Sequence, residues 1–150
     1  MKRYSSLEYA LFLIKNRAQT RKQIEEKLTR KKYEPDDIAK TILQLEKANL
    51  INDETFAQNY VRDKISIYRR GRWRIVQELR QKGVVKELID KAIEDISEDD
   101  ELEAARSLIK GRERQWADLE PQKKYLRSVG LLSRRGFSGK IIKQILSEKD

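Results

Sequence analysis

The chain contains no cysteine and no histidine in its 150 residues. Without thiols there is no disulfide framework, no thiolate nucleophile and no zinc–thiolate site. Without imidazole the commonest general base and the commonest zinc ligand are missing too. No apolar run is long enough to span a bilayer, and no N-terminal segment has the charged-then-apolar order of a signal peptide. A soluble, cytoplasmic protein with no membrane partner is therefore expected. No Gly-x-x-x-x-Gly-Lys-Ser or Gly-x-Gly-x-x-Gly phosphate loop is present. The acidic run "EDISEDDELE" at 94–103 lacks the glycine-centred spacing of a calcium loop, and acids in the first turn of a helix complement its dipole instead. These absences predict a protein that is not an enzyme, with no catalytic residues, no metal and no cofactor.

What remains is charge and helix formers. Charged residues make up 39% of the chain against 38% hydrophobic, and two prolines and six glycines are the only strong helix breakers. Leu, Ile, Glu, Lys, Arg and Gln favour helix, and no alternating apolar stretch is long enough for a strand. The expected class is all-α, with a core better suited to a thin helical array than to one thick globule. The net charge of +9 is segregated. Residues 62–82 carry an excess of six positive charges, 94–103 hold seven acids and no base, and 104–150 carry an excess of seven. Such segregation suits an anionic partner for the middle and the end of the chain.

Self-comparison reveals three copies of one unit: "IEEKLTRKKYEPDDIAKTI" from Ile24, "IVQELRQKGVVKELIDKAI" from Ile75 and "SVGLLSRRGFSGKIIKQIL" from Ser128. Leu28, Leu79 and Leu132 fall in register, followed by Ile38, Ile89 and Ile142, then Ile42, Ile93 and Leu146. Basic runs between them close on Tyr33, Gly83 and Gly136. An upstream helix also repeats, with Tyr9-Ala10, Phe56-Ala57 and Ala104-Ala105 in equivalent places. Its distance from the register leucine grows from 19 to 23 to 28 residues along the chain, so the variable piece is a loop or a helix extension.

Each unit reads as three helices, at about 53–69, 71–82 and 85–96 in the middle copy, with apolar residues recurring at three and four. Ser5-x-x-Glu8 and Thr20-x-x-Gln23 are capping boxes, and Asp53 and Ser138 are candidate N-caps. Gly83 and Gly136 suit a left-handed residue after a helix, with Asn49 in that role in the first unit. Pro35 and Pro121 fit a first helical turn, and Gly71 suits a sharp turn. Helices of about 12 residues are marginal alone. The prediction is three tandem three-helix repeats, 1–52, 53–97 and 98–150, stacked in an elongated, curved array.

The candidate site is the basic middle, "YRRGRWRIVQELRQKGV" at 68–84, with its flanks. Arg69, Arg70 and Arg72 crowd Gly71, Trp73 and Arg80 share one edge of the next helix beside Val76, and Arg74 points outward. Arg62, Lys64, Lys82, Arg134 and Arg135 extend the set. Guanidinium groups beside an aromatic ring suit phosphate contacts and stacking. They equally suit a protein interface, or a solvated face with Trp73 on the rim of the core.

"LINDETFAQNYVRDKISIYRRGRWRIVQELRQKGV" resembles the central signature of the RecX family of bacterial recombinase regulators. The matching positions are Leu50-Ile51-x-Asp53-x-x-Phe56-Ala57-x-x-Tyr60-Val61-Arg62, then Gly71, Ile75, Glu78-Leu79 and Lys82-Gly83. "LLSRRGFSGKIIKQIL" resembles the family's closing motif, and the likeness runs from about Leu7 to Leu146. The resemblance implies a monomer built of tandem three-helix units that binds along the RecA filament on single-stranded DNA. There it would block extension and reduce ATP hydrolysis and strand exchange, restraining DNA repair recombination and the SOS response. Two other readings stand beside it: a DNA-binding module acting without a recombinase, and a scaffold for other proteins.

Overall fold

The computed structural model describes residues 3–148. Among these residues there are nine α-helices and no strand. They are α1 Ser6–Asn16, α2 Arg21–Arg30, α3 Pro35–Lys47, α4 Asp53–Ser66, α5 Arg72–Gln81, α6 Lys86–Glu94, α7 Glu98–Lys110, α8 Pro121–Arg134 and α9 Gly139–Ser147. The threefold register is a packing register. Leu28, Leu79 and Leu132 are completely buried, and so are Ala10, Ala57 and Ala105 on the first helix of each unit. Alanine there lets the backbones of neighbouring helices approach, while the leucine fills the centre of each three-helix group. Ile38, Ile89 and Ile142 close the group from the third helix.

The helix ends follow local chemistry. Ser5 with Glu8 and Thr20 with Gln23 form complete capping boxes, and Ser138 caps α9. Pro35 and Pro121 occupy first-turn positions. Ser97 caps α7 in a box with Asp100, and four acids fill the first turn behind it, where the helix dipole favours them. α4 is capped by Asn52, whose side chain accepts from the Thr55 N–H, not by Asp53. The Asp53 carboxylate instead accepts from the backbone N–H of Arg21 at the start of α2, 3.0 Å away.

Two turns differ from their sequence reading. The left-handed residue after α2, the counterpart of Gly83 (φ 87°) and Gly136 (φ 91°), is Lys32, with φ 66°, and not Asn49. Asn49 is left-handed as expected, but it closes α3. Between α4 and α5 the left-handed residue is Arg69, φ 52°, which ends α4 at Ser66, short of the expected 69. Gly71 itself is extended (φ −81°) and serves as the N-cap of α5. It is glycine because a Cβ there would strike the backbone of Gly136 and Phe137.

The units do not have three separate cores. Ala10, Ile24, Leu28, Ile38, Ile42, Leu45 and Ile51 form one cluster in the first unit. The buried residues of α4 to α9, from Ala57 to Ile145, form a second, continuous one. The insertion between α7 and α8 contributes Trp116 to it, 6% exposed. The chain nonetheless exposes 10606 Å², against roughly 8,000 Å² for a compact monomer of this mass. The molecule is an extended array of one small body and one double-length body.

A recurring joint connects the units. Thr20, the N-cap of α2, donates its hydroxyl proton to the carbonyl of Lys82, the C-cap of α5, at 2.6 Å. Gly71, the N-cap of α5, donates its N–H to the carbonyl of Arg135, the C-cap of α8, at 2.7 Å. The second helices of the three repeats therefore meet end to end, C-terminus against N-terminus, and free carbonyls of one helix are satisfied by the next.

Candidate functional site

The structure disperses the basic set over several surfaces. Arg70 and Arg72 are held within the fold. Arg70 donates to Glu78 at 2.5 Å, each side chain 21% exposed. Arg72 reaches across to Glu101, 7% exposed on α7, and to the Ile96 carbonyl. That second pair pins α5 to the third repeat, so the buried acid of the 94–103 run is a structural tie. Tyr60 lies half-buried beside the first pair; burial, then the Glu78 charge, push its phenol up. Replacing Arg70 with glutamate sets two acids face to face away from water and is expected to cost about 3 kcal/mol. A urea titration of Arg70→Glu against the parent measures it, and an unchanged midpoint would show the pair to be dispensable.

Arg62 and Arg69 open onto a different feature. They line one side of a cavity of about 690 Å³ between α4 and α7, with Asp95, Asp100 and Glu103 on the other side. Lys64 sits over the rings of Tyr60 and Tyr68, 5.0 and 3.9 Å from their centroids, and Lys82 over Tyr60 at 5.6 Å. Such contacts hold a cation against an aromatic face.

Trp73 and Arg80 are exposed on one flank of α5, the indole 65% so. The rim-of-core reading of Trp73 is thereby set aside: Ile75 and Leu79 form the buried stripe, and the indole projects away from it. Arg74 and Lys82 lie on the other flank, about 80° apart around the helix at 100° per residue. Arg74 reaches across the joint to the carbonyl of Arg134, 3.2 Å, and Arg135 to that of Tyr68, 3.1 Å. Arg134 itself is exposed.

Sequence reading missed residues that only the joints bring together. Burial first, then Arg17, Arg30 and Lys82, pull the Lys27 ammonium below its ordinary value; the amine donates to Gln19, which is 5% exposed. At the other joint, burial first, then Arg74, Arg70 and Arg112, pull Arg135 down. Of these cations, only Arg70 has an ion-pair partner among the described residues. The signal that locates them is the head-to-tail contact of α2, α5 and α8. No single segment contains it.

These features define a class: an all-helical repeat protein whose charged surface is organised around the joints between its units. Two family models match, described as RecX, first three-helix domain, over residues 7–45, and RecX, second three-helix domain, over residues 52–93. "Regulatory protein RecX" of Mycobacterium sp. (strain JLS) is 35% identical over 134 residues, covering 87% of this chain and 73% of that protein. "Regulatory protein RecX" of Streptomyces coelicolor is 34% identical over 144 residues, covering 93% and 76%. Among solved structures, RecX from Lactobacillus salivarius superposes with a TM-score of 0.83 at 26% identity, covering 94% of this chain and 92% of that one. The chain belongs to the RecX family of regulatory proteins. Among the described residues no helix is long and apolar enough to cross a membrane.

Proposed function

We propose that the protein regulates a RecA recombinase by lying, as a monomer in the cytoplasm, along the RecA–single-stranded DNA filament. There it blocks extension and lowers ATP hydrolysis and strand exchange. It acts by occupancy and makes or breaks no bond of its own. In this reading the three repeats, 1–52, 53–97 and 98–150, bridge successive filament subunits. The observation that carries it is the extended array, whose surface area exceeds that of a compact monomer, combined with cations at both joints that lack acidic partners. Membership in a family of regulatory proteins and the segregated charge support it. An array can restrain several subunits at once, so each molecule acts on more than one protomer.

The expected outcome is inhibition of single-strand-dependent ATPase of the cognate recombinase at well below one molecule per protomer. Unchanged turnover at equimolar protein would reject the proposal. The second reading, a DNA-binding module independent of a recombinase, is favoured by the exposed indole of Trp73 on the same flank of α5 as the exposed Arg80. Tight, sequence-selective binding to bare duplex would establish that reading. Strong binding to coated strands with weak, salt-sensitive binding to naked DNA would establish the first.

A further inference from the structure

We infer that the two joints are paired anion subsites for the phosphate backbone of one single strand of nucleic acid, with α5 as the spacer between them. The first subsite comprises Arg17, Lys27 and Lys82; the second comprises Arg74, Arg112, Arg134 and Arg135. The inference rests on the filament reading above and adds what that reading leaves open: which side chains meet the strand, and that the first repeat takes part.

Several observations converge. The two clusters are built by the same structural rule. At each joint the C-cap residue of one second helix, Lys82 or Arg135, is a cation. Its carbonyl is held by the N-cap of the preceding repeat's second helix, through the Thr20 hydroxyl or the Gly71 N–H. A carboxylate already serves the first turn of that helix, Asp53 at the Arg21 N–H and Glu101 at the Arg72 N–H. The fold thus provides acids where helix N-termini need them and provides none for the cations beside them. Like charges held this close repel in the free protein, and the repulsion is relieved by an anion.

The chemistry of the anion follows from the neighbours. The Tyr68 ring is taken by Lys64, 3.9 Å from its centroid, whereas Trp73, about 100° around α5 from Arg74, is 65% exposed and carries no cation among the described residues. One free aromatic ring within reach of the Arg74 end of this row fits an unstacked base joined to the phosphates, and a row of carboxylates has no use for it. The geometry sets a length. From Gly71 to Lys82 the chain rises about 17 Å at 1.5 Å per residue, the span of about five nucleotides of stacked strand at 3.4 Å each. Strands shorter than this reach one joint; longer ones reach both.

The experiment compares (dT)3, (dT)8 and a poly-glutamate peptide as probes of the full chain, by anisotropy and by tryptophan emission over a salt series. Trp116 is buried, so quenching reports Trp73. Two double variants, Arg17→Gln with Lys82→Gln and Arg112→Gln with Arg134→Gln, remove side chains that make no ion pair among the described residues. Circular dichroism checks that helicity is kept. In the parent, (dT)8 is expected to bind more tightly than (dT)3 and to quench the indole. Each double variant is expected to lower the salt slope for (dT)8 by about 1.4, at ~0.7 per lost phosphate contact. The first variant should leave (dT)3 binding and quenching in place.

Folded variants with the parental slope would overturn the inference. So would poly-glutamate binding as tightly as (dT)8, which would make the joints a surface for acidic protein. Recombinase ATPase assays on the same proteins separate the two levels. A parent that inhibits while its slope is indifferent to both variants sinks the subsites and leaves the regulator. A parent that binds (dT)8 through both joints without inhibiting sinks the regulator and leaves the subsites.

Discussion

Leu79→Ala is expected to lower stability by about 2–5 kcal/mol, and to do so across α4 to α9 together. Leu79 is completely buried and belongs to the continuous cluster of the second and third repeats. Removing its side chain opens a void that close-packed neighbours fill only in part. The register-equivalent change in the first unit, Leu28→Ala, has the same local chemistry and a different reach. Leu28 is equally buried, but its cluster ends at Ile51. Hydrogen exchange separates the two cases. Leu28→Ala should accelerate exchange within 6–51 and leave the α5 and α8 amides protected, whereas Leu79→Ala should release α4 through α9 in concert. Equal acceleration everywhere in both variants would show one cooperative body and refute the two-core description.

Gly136→Ala carries the second large effect, about 3 kcal/mol, from two sources. At φ 91° a side chain costs about 1–2 kcal/mol of backbone strain. The new methyl would also drive into the backbone nitrogen and Cα of Arg74, prising apart the joint where the Gly71 N–H meets the Arg135 carbonyl, a bond worth about 1 kcal/mol net. The first unit supplies the control. Lys32 adopts the same left-handed conformation, and among the described residues no second helix abuts it as α2 abuts Gly83 and α5 abuts Gly136, so a lysine is tolerated there. Lys32→Gly should change stability by no more than about 1 kcal/mol. Thermal melts of the two variants test the pair. A Gly136→Ala loss no larger than the backbone strain alone, about 1–2 kcal/mol, would mean that the glycine serves the turn and not the joint.

The contrast between Lys32 and Gly136 shows where sequence reading stops. Turn chemistry is local, so Gly83 and Gly136 are legible as left-handed positions, but in the first unit the signature falls on Asn49, which closes α3, while Lys32 takes the equivalent place after α2. Lysine carries no turn signature, whereas asparagine does. Gly71 misled in the opposite way: its role is close approach to a segment 65 residues further along the chain, which no local pattern encodes. Asp53 at the edge of α4 has the composition of a cap, but Asn52 takes that role and frees the acid to reach α2. The candidate site fared similarly. Arginine density marked the right region. Arg70 and Arg72 are bound to Glu78 and Glu101, and Lys27, Arg17 and Arg112 carry no signal in the sequence, because ion pairing and proximity between repeats are properties of packing.

By itself the sequence determined the helices, their threefold register and the buried face of each, because periodicity, capping and propensity act over a few residues and survive in any environment. Tertiary structure alone decided that two of the three units share a core, that their second helices abut end to end, and which cations are left without a partner there. Each of those outcomes depends on side chains some 30 to 70 residues apart meeting at a few ångströms, and burial and electrostatics act on that distance, whatever the separation along the chain.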